Sequence, residues 1–490
     1  MEAFEALMAH ERDTQALAQV AGRLSWDQET VMPRGAAAQR SEEAAAMQAM
    51  LHARRTDPRV AEWLETVEAQ APGDPVVAAH LREIRREHER ASKVPGDLAA
   101  ALARVTALSQ GAWAEARAAD DFAAFAPVLA EVLELRREEG AALAGTGDVY
   151  DALLQDYEPG ATAETLTSMF GALRPRLIAI REAAISEAAG LDAVFDEAVQ
   201  MELAREVAAA FGYDMSRGRI DRAVHPFSSG SGSDVRITTR SDPHDPFNCL
   251  YPTIHETGHA CYEQAVDPAY ALSPLGRGVS MGVHESQSRI YENQLGRSRA
   301  FTGWLFGRMR DRFGDFGVAD EDMFYRIVNR LHAGFIRTEA DEVQYNLHVL
   351  LRFDLERALV SGDLAPRDLE AAWNDRFEAD FGYAVPKASL GCLQDVHWSV
   401  GLFGYFPTYS LGNVYAGCLF EALRADVPEL DTALAKGDPS PATTWLRDKV
   451  QRHGALMEPR EVITQACGRG PDEGPLLDYL EAKFRALSEV

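Results

Sequence analysis

Residues 255–259 read His255-Glu256-Thr257-Gly258-His259. Two histidines four apart on an α-helix lie on one face, one turn from each other, so their imidazoles can bind one ion. Glu256, beside the first histidine, can then reach a water on that ion and act as its base. The chemistry this pattern serves is metal-assisted hydrolysis. Zinc, the metal such sites take most often, is held there by three protein ligands with a fourth position open. Cobalt or manganese could occupy the same donors, because availability often decides between such metals.

The third ligand is not given by spacing. Glu263 continues the row of the two histidines, but it lies about 12 Å along the helix from His255 and cannot share the ion. The next helical stretch offers His284, Glu285 and Glu292. A glutamate is the commoner partner of the motif, and between Glu285 and Glu292 the spacing does not choose. Eight of the thirteen histidines (His225, His244, His255, His259, His284, His332, His348, His397) fall between positions 225 and 397, so the chemistry should concentrate there.

The elements that must position these residues follow from the flanks. Pro252 suits a first helical turn and Pro268 a helix that has ended, while Gly258 inside the helix implies close packing at that point. Val235–Thr239 is the best strand in the chain, β-branched and alternating, after a Gly/Ser turn at Ser228–Ser233. A small antiparallel sheet beside the metal helix is expected, and its edge could pair with a substrate backbone. Residues 1–140 are rich in Ala, Glu and Arg with apolar residues three and four apart, and predict long helices. The Trp26-Asp27-Gln28-Glu29-Thr30 piece reads as a Trp packed at a helix end before Pro33. Most of the rest to about 485 is helical, interrupted at 361–366, 382–391 and 401–409. There is no internal repeat and no clear linker, so 1–490 reads as one catalytic domain, with 1–140 an N-terminal subregion and 212–420 the active-site region.

The net charge of −27 argues against nucleic acid or an anionic membrane as partner. The five cysteines are scattered with no C-x-x-C pair, which fits a reducing compartment. Trp398–Phe420 carries no charge and is long enough to span a bilayer, yet its Pro, Asn and four glycines fit a buried core segment better. With no signal peptide at the N-terminus, a cytoplasmic, soluble protein is expected.

Along nearly the whole chain the sequence resembles the carboxypeptidase Taq family of zinc metallocarboxypeptidases. The likeness is carried by Trp26–Thr30, His225-Pro226-Phe227, Asp234–Thr239, His255–His259, His284-Glu285-Ser286-Gln287, Ile336-Arg337-Thr338-Glu339-Ala340-Asp341 and Gly391–Trp398. Ser241 departs from the aromatic residue expected after Arg240. The resemblance implies that Glu285 is the third ligand and that Arg337 binds the substrate's terminal carboxylate, for which a guanidinium fork is well suited. Arg236, Arg240 and Arg289 are the reserves, and Glu339, Asp341 and Glu342 could hold Arg337 in place or hydrogen-bond a ligand histidine. It points to His397 with Tyr409 as donors to the tetrahedral oxyanion, with Tyr405 hard to separate from Tyr409 and placed with the substrate. It also implies a mainly α body with a deep active-site cleft, an N-terminal helical lid and a homodimer.

The leading expectation is therefore a zinc-dependent carboxypeptidase of broad specificity, acting on peptides with a free C-terminus. A helical zinc oligopeptidase cutting internally is the competitor; it would not need Arg337. A helical scaffold with a structural metal is the third reading, but such sites are usually rich in Cys and have no use for Glu256.

Overall fold

The structure is a computed structural model and describes residues 2–70, 73–186 and 191–488. The chain forms two compact units. The first comprises Met1–Ser92, Ala189–Val328 and Leu419–Pro471, and the second Lys93–Ala188, Asn329–Cys418 and Asp472–Val490. Both are helical, and among the described residues the only sheet has three short strands.

In the first unit the strands are β1 (Ile220–Arg222), β2 (Ser228–Ser231) and β3 (Asp234–Thr239), in the order β1-β3-β2. The expected strand is there: Val235, Ile237, Thr238 and Thr239 are all fully buried. Two details differ. Of the Gly/Ser stretch, Ser228–Ser231 is a strand because pairing with β3 overrides its composition, and Gly232-Ser233 is the turn; Gly230 at φ 100° is where a Cβ would stand 2.0 Å from the Asp234 carbonyl. The sheet is also mixed. The β2–β3 hairpin is antiparallel, but the chain crosses from one side of β3 to the other between β1 and β2, which leaves β1 parallel to β3.

The helix Phe247–Ala265 carries the His-Glu-Thr-Gly-His pattern and packs on β2, β3, the helix Glu197–Ala210 and the helix Met281–Arg289. It begins five residues before Pro252, which therefore sits inside it rather than in its first turn. An interior proline costs ~3 kcal/mol or more. Burial of Leu250, Ile254 and the β3 residues Val235 and Ile237, about 1.5–3 kcal/mol for each side chain, outweighs that cost. One tertiary bond also holds the backbone there: the Cys249 carbonyl accepts from Thr239 Oγ1 of β3 at 3.0 Å, beside a bond from Thr253 Oγ1 of the same helix at 2.7 Å. The helix stops at Ala265, before the Asp267-Pro268 turn.

Trp26 ends the long first helix, Glu2–Thr30, and is 4 % exposed. The guanidinium groups of Arg219 and Arg236 lie 5.2 and 4.4 Å from its ring centre. Gln19 and Arg23 of the same helix bond Ser231 and Asp234, so this helix is fastened to the β2–β3 hairpin.

The second unit is built around the helix Gln344–Ser361, most of which is buried. Asp341 accepts from the Val343 and Gln344 amides at 2.9 Å at its start, and Gly362 at φ 92° ends it in the left-handed region that a glycine adopts without strain. Unlike a purely apolar core helix, it buries Arg352 and Glu356 completely. Trp398–Phe420 is mostly buried, and no described helix is long and apolar enough to cross a membrane. Cys249, Cys261 and Cys392 are buried free thiols.

Candidate metal centre and a buried arginine cluster

The predicted site residues fall into two sets, one in each unit. The first set is His255, Glu256, His259 and Glu285. Ligand atoms of His255, His259 and Glu285 all lie within 4.8 Å of one another. Glu285 Oε2 is 3.6 Å from His255 Nε2 and 3.4 Å from His259 Nε2. The close approach that Gly258 implied is real: a Cβ there would stand 2.5 Å from the Gln287 carbonyl oxygen and 2.6 Å from Ser288 Cα. The missing side chain lets the two ligand-bearing helices touch.

Glu285 and Glu292 divide the work that spacing could not assign. After Arg289 the helix widens into a π-helical stretch, Ile290–Gly296, a form met mostly as short bulges at functional sites. Glu292 Oε2 meets His255 at Nδ1, 2.9 Å away, on the ring edge opposite the one that faces Glu285. It can orient that imidazole and cannot share an ion with its Nε2. Arg289 ties the two carboxylates together, with Nε donating to Glu285 Oε1 at 2.7 Å and Nη1 to Glu292 Oε2 at 3.3 Å. His284 turns Nδ1 to His259 Nδ1 and Nε2 to Glu263, so both its nitrogens are engaged within the protein.

Electrostatics follow this packing. Burial alone would raise Glu285, but Arg289 and His255 outweigh it and hold the carboxyl well below the ordinary range. Glu292 is likewise held at about 2, where its bond to His255 and the charge of Arg289 overcome burial. Burial pushes His259 down to about 3, the neutral form a metal requires. Burial pushes Glu256 up to about 7, so it is poised to exchange a proton near neutrality. Two imidazoles and one carboxylate fit zinc or a neighbouring transition metal, whereas magnesium and calcium prefer all-oxygen sets.

The second set centres on Arg337, which is 5 % exposed. None of the three carboxylates expected to hold it does so. Asp341 caps the following helix, Glu342 pairs with Lys483, and Glu339 is exposed. Instead Asp395 Oδ1 accepts from Arg337 Nε at 3.2 Å and Nη2 at 2.9 Å, while its Oδ2 accepts from Arg352 Nε at 2.7 Å. Arg337 Nη1 donates to the Tyr345 hydroxyl at 3.0 Å, and the Tyr409 ring centre is 4.8 Å from the guanidinium carbon. Two guanidinium groups face one carboxylate, so this buried cluster of the second unit carries an excess positive charge.

His397 and Tyr409 are brought together: His397 Nε2 and the Tyr409 hydroxyl are 3.1 Å apart. Tyr405 packs edge-on against Tyr409, ring centres 5.3 Å apart, and tilted against His397 at 5.6 Å. Burial pushes His397 down to about 3, so the ring is neutral. The Trp398–Gly404 loop that joins these residues is held by Glu356, which accepts from Trp398 Nε1 at 3.1 Å, the Gly404 amide at 3.2 Å and the Tyr150 hydroxyl. The reserve arginines are otherwise engaged: Arg236 with Asp234 and Trp26, Arg240 with Asn248, Arg289 with the two glutamates.

Sequence reasoning missed Asp395, Arg352 and Glu356. Asp395 stands in the quoted stretch beside His397, a signal that was available; a buried Arg or Glu inside a long helix has none.

The chain was also compared with known proteins. A family model described as carboxypeptidase Taq (M32) metallopeptidase matches residues 6–484. Thermostable carboxypeptidase 1 of Thermus thermophilus is 39% identical over 508 residues, covering 99% of each chain. Among solved structures, the M32 carboxypeptidase of Deinococcus radiodurans matches with a TM-score of 0.97 and 38% identity over 100% of both chains. Trypanosoma cruzi metallocarboxypeptidase 1 matches with a TM-score of 0.95 and 32% identity, over 99% of this chain and 100% of the other.

Proposed function

This chain belongs to the carboxypeptidase Taq (M32) metallopeptidase family and is a metallocarboxypeptidase, and on that premise we propose that it removes C-terminal residues from peptides of broad sequence using zinc held by His255, His259 and Glu285. The observation that carries the ligand assignment is Glu285 Oε2 facing both Nε2 atoms at 3.6 and 3.4 Å while Glu292 lies behind His255. When bound there, the metal supplies a Lewis acid for the scissile carbonyl and lowers the pKa of water toward neutrality.

Glu256 accepts the proton of the attacking water and later delivers it to the leaving amine. His397 and Tyr409 donate hydrogen bonds to the oxyanion, and Tyr405 packs beside them against the substrate. Arg337, oriented by Asp395 and Tyr345, binds the substrate's terminal carboxylate. The anchor is what favours an exopeptidase over an oligopeptidase that cuts internally. Residues 1–490 act as a single catalytic domain, in keeping with a family match over 6–484. The protein works in the cytoplasm, as its scattered cysteines with no C-x-x-C pair suit, and as a homodimer, which light scattering of the purified protein tests.

Glu256→Gln tests the core of this reading. Zinc content should stay at one per chain while peptide hydrolysis falls by a factor of about 100–10,000, the range of general acid–base catalysis. Hydrolysis at the wild-type rate would remove Glu256 from the reaction.

A further inference from the structure

A metal-bound imidazole usually donates its second ring N–H to a carboxylate, a carbonyl or water, which fixes its tautomer and aim. His255 follows this rule through Glu292. His259 does not. Its Nδ1 faces another ring nitrogen, Nδ1 of His284, at 2.6 Å.

Two facing ring nitrogens need one donor and one acceptor. With its Nε2 lone pair given to a metal beside Glu285, His259 carries its proton on Nδ1, and His284 Nδ1 accepts it. The proton of His284 then lies on Nε2, which faces Glu263 Oε1 at 2.9 Å. Glu263 Oε1 also receives the Gly278 amide at 2.9 Å, and Glu263 Oε2 is buried without a hydrogen-bond partner. All the bonding of this buried carboxylate is thus directed to one edge, at a cost in stability.

The pocket around His284 is shaped to hold it. The Tyr262 ring centre lies 5.1 Å from that of His284, and the Tyr262 hydroxyl accepts the Val279 amide at 3.2 Å. A Cβ on Gly278 would stand 2.6 Å from His284 Cδ2 and 3.0 Å from Tyr262 Cε1. A side chain there would press on both the His284 ring and Tyr262.

We propose that His284 and Glu263 form a hydrogen-bonded relay that fixes the tautomer and orientation of His259 as a metal ligand. His284 is then a positioning residue and Glu263 its anchor. This rests on His259 being a ligand. It also gives a task to the one histidine of the His284-Glu285-Ser286-Gln287 stretch that neither binds metal nor meets substrate.

The test uses the full chain, stripped of metal and titrated with zinc against a chromophoric chelator, with melting of the metal-free form as a check on folding. His284→Leu removes the acceptor and should weaken zinc about ten- to hundred-fold. His284→Asn places an amide oxygen where Nδ1 was but loses the link to Glu263, and should hold zinc more tightly than His284→Leu. Glu263→Leu leaves the His284 proton without an acceptor and should weaken zinc in the same direction; it carries the test if His284→Leu does not fold. Unchanged zinc affinity in the folded Leu variants, or an equal loss in His284→Asn and His284→Leu, would overturn the relay. His259→Ala separates the two levels: if it keeps wild-type zinc affinity the ligand reading falls, and if it loses zinc while His284→Leu keeps it, the relay alone falls.

Discussion

Asp395→Asn is the substitution that strains the second unit most, and its effect can be worked from the contacts. The carboxylate lies between Arg337 and Arg352, which are 5 % and 0 % exposed, and it is their shared counter-ion. Asparagine keeps the shape and one acceptor oxygen but removes the charge, which leaves two buried cations facing a neutral amide. Removing one partner of a buried ion pair costs about 3–5 kcal/mol. Arg352 keeps the His348 carbonyl at 2.7 Å and Arg337 keeps the Tyr345 hydroxyl at 3.0 Å, so the lower end of that range is expected. Urea unfolding followed by circular dichroism reads the loss.

Catalysis supplies a second reading. With its buttress gone the Arg337 fork is free to turn, and a charge-assisted bond to a carboxylate is worth about 1.5–3 kcal/mol, so KM for free-acid peptides should rise roughly ten- to hundred-fold. The pH dependence has a definite sign. Burial opposes the charge, but Arg337 and Arg352 outweigh it and hold Asp395 well below the ordinary carboxylate range. A depressed folded pKa contributes stability that is complete above the unfolded value, ~3.9, and is lost as pH falls below it. Wild type should therefore lose its advantage over Asp395→Asn below about pH 4. A variant with wild-type stability and wild-type KM at neutral pH would refute the claim that Asp395 holds the two arginines.

Gly258→Ala puts a Cβ 2.5 Å from the Gln287 carbonyl; overpacking costs about 1–3 kcal/mol, and pushing the ligand helices apart should lower both the melting temperature and the zinc content. Glu356→Gln puts an amide where three donors converge, with an expected loss of about 1–3 kcal/mol and a fall in kcat larger than any change in KM, read by steady-state kinetics. Chelation should abolish hydrolysis, and zinc should restore it, as should cobalt or manganese in part; activity that persists in chelator with no bound metal would contradict the site.

The helix with the two histidines was legible because its pattern is local: His255 and His259 are four positions apart, and one helix places both. Gly258 announced its close contact for the same reason, since a glycine is costly in a helix unless something needs the space. The third ligand was not legible from spacing. Glu285 and Glu292 both approach His255, and only the folded ring shows that Glu285 faces its Nε2 while Glu292 bonds its Nδ1. Pro252 misled about the helix start because tertiary burial of the helix offsets the cost of an interior proline. Ser228–Ser231 misled because a strand with little intrinsic preference forms when a strong neighbour pairs with it. The partner of Arg337 lies 58 residues away in sequence. Nearby acids were the natural guess, but Asp341 was already committed to capping a helix.

The most direct test of the central claim is to incubate one short peptide, as the free acid and as the C-terminal amide, with the zinc-loaded protein and to follow the products by mass spectrometry. The account predicts a ladder of stepwise C-terminal losses from the free acid, essentially none from the amide, and a weakened ladder with Arg337→Ala. Equal internal cleavage of both peptides would contradict it.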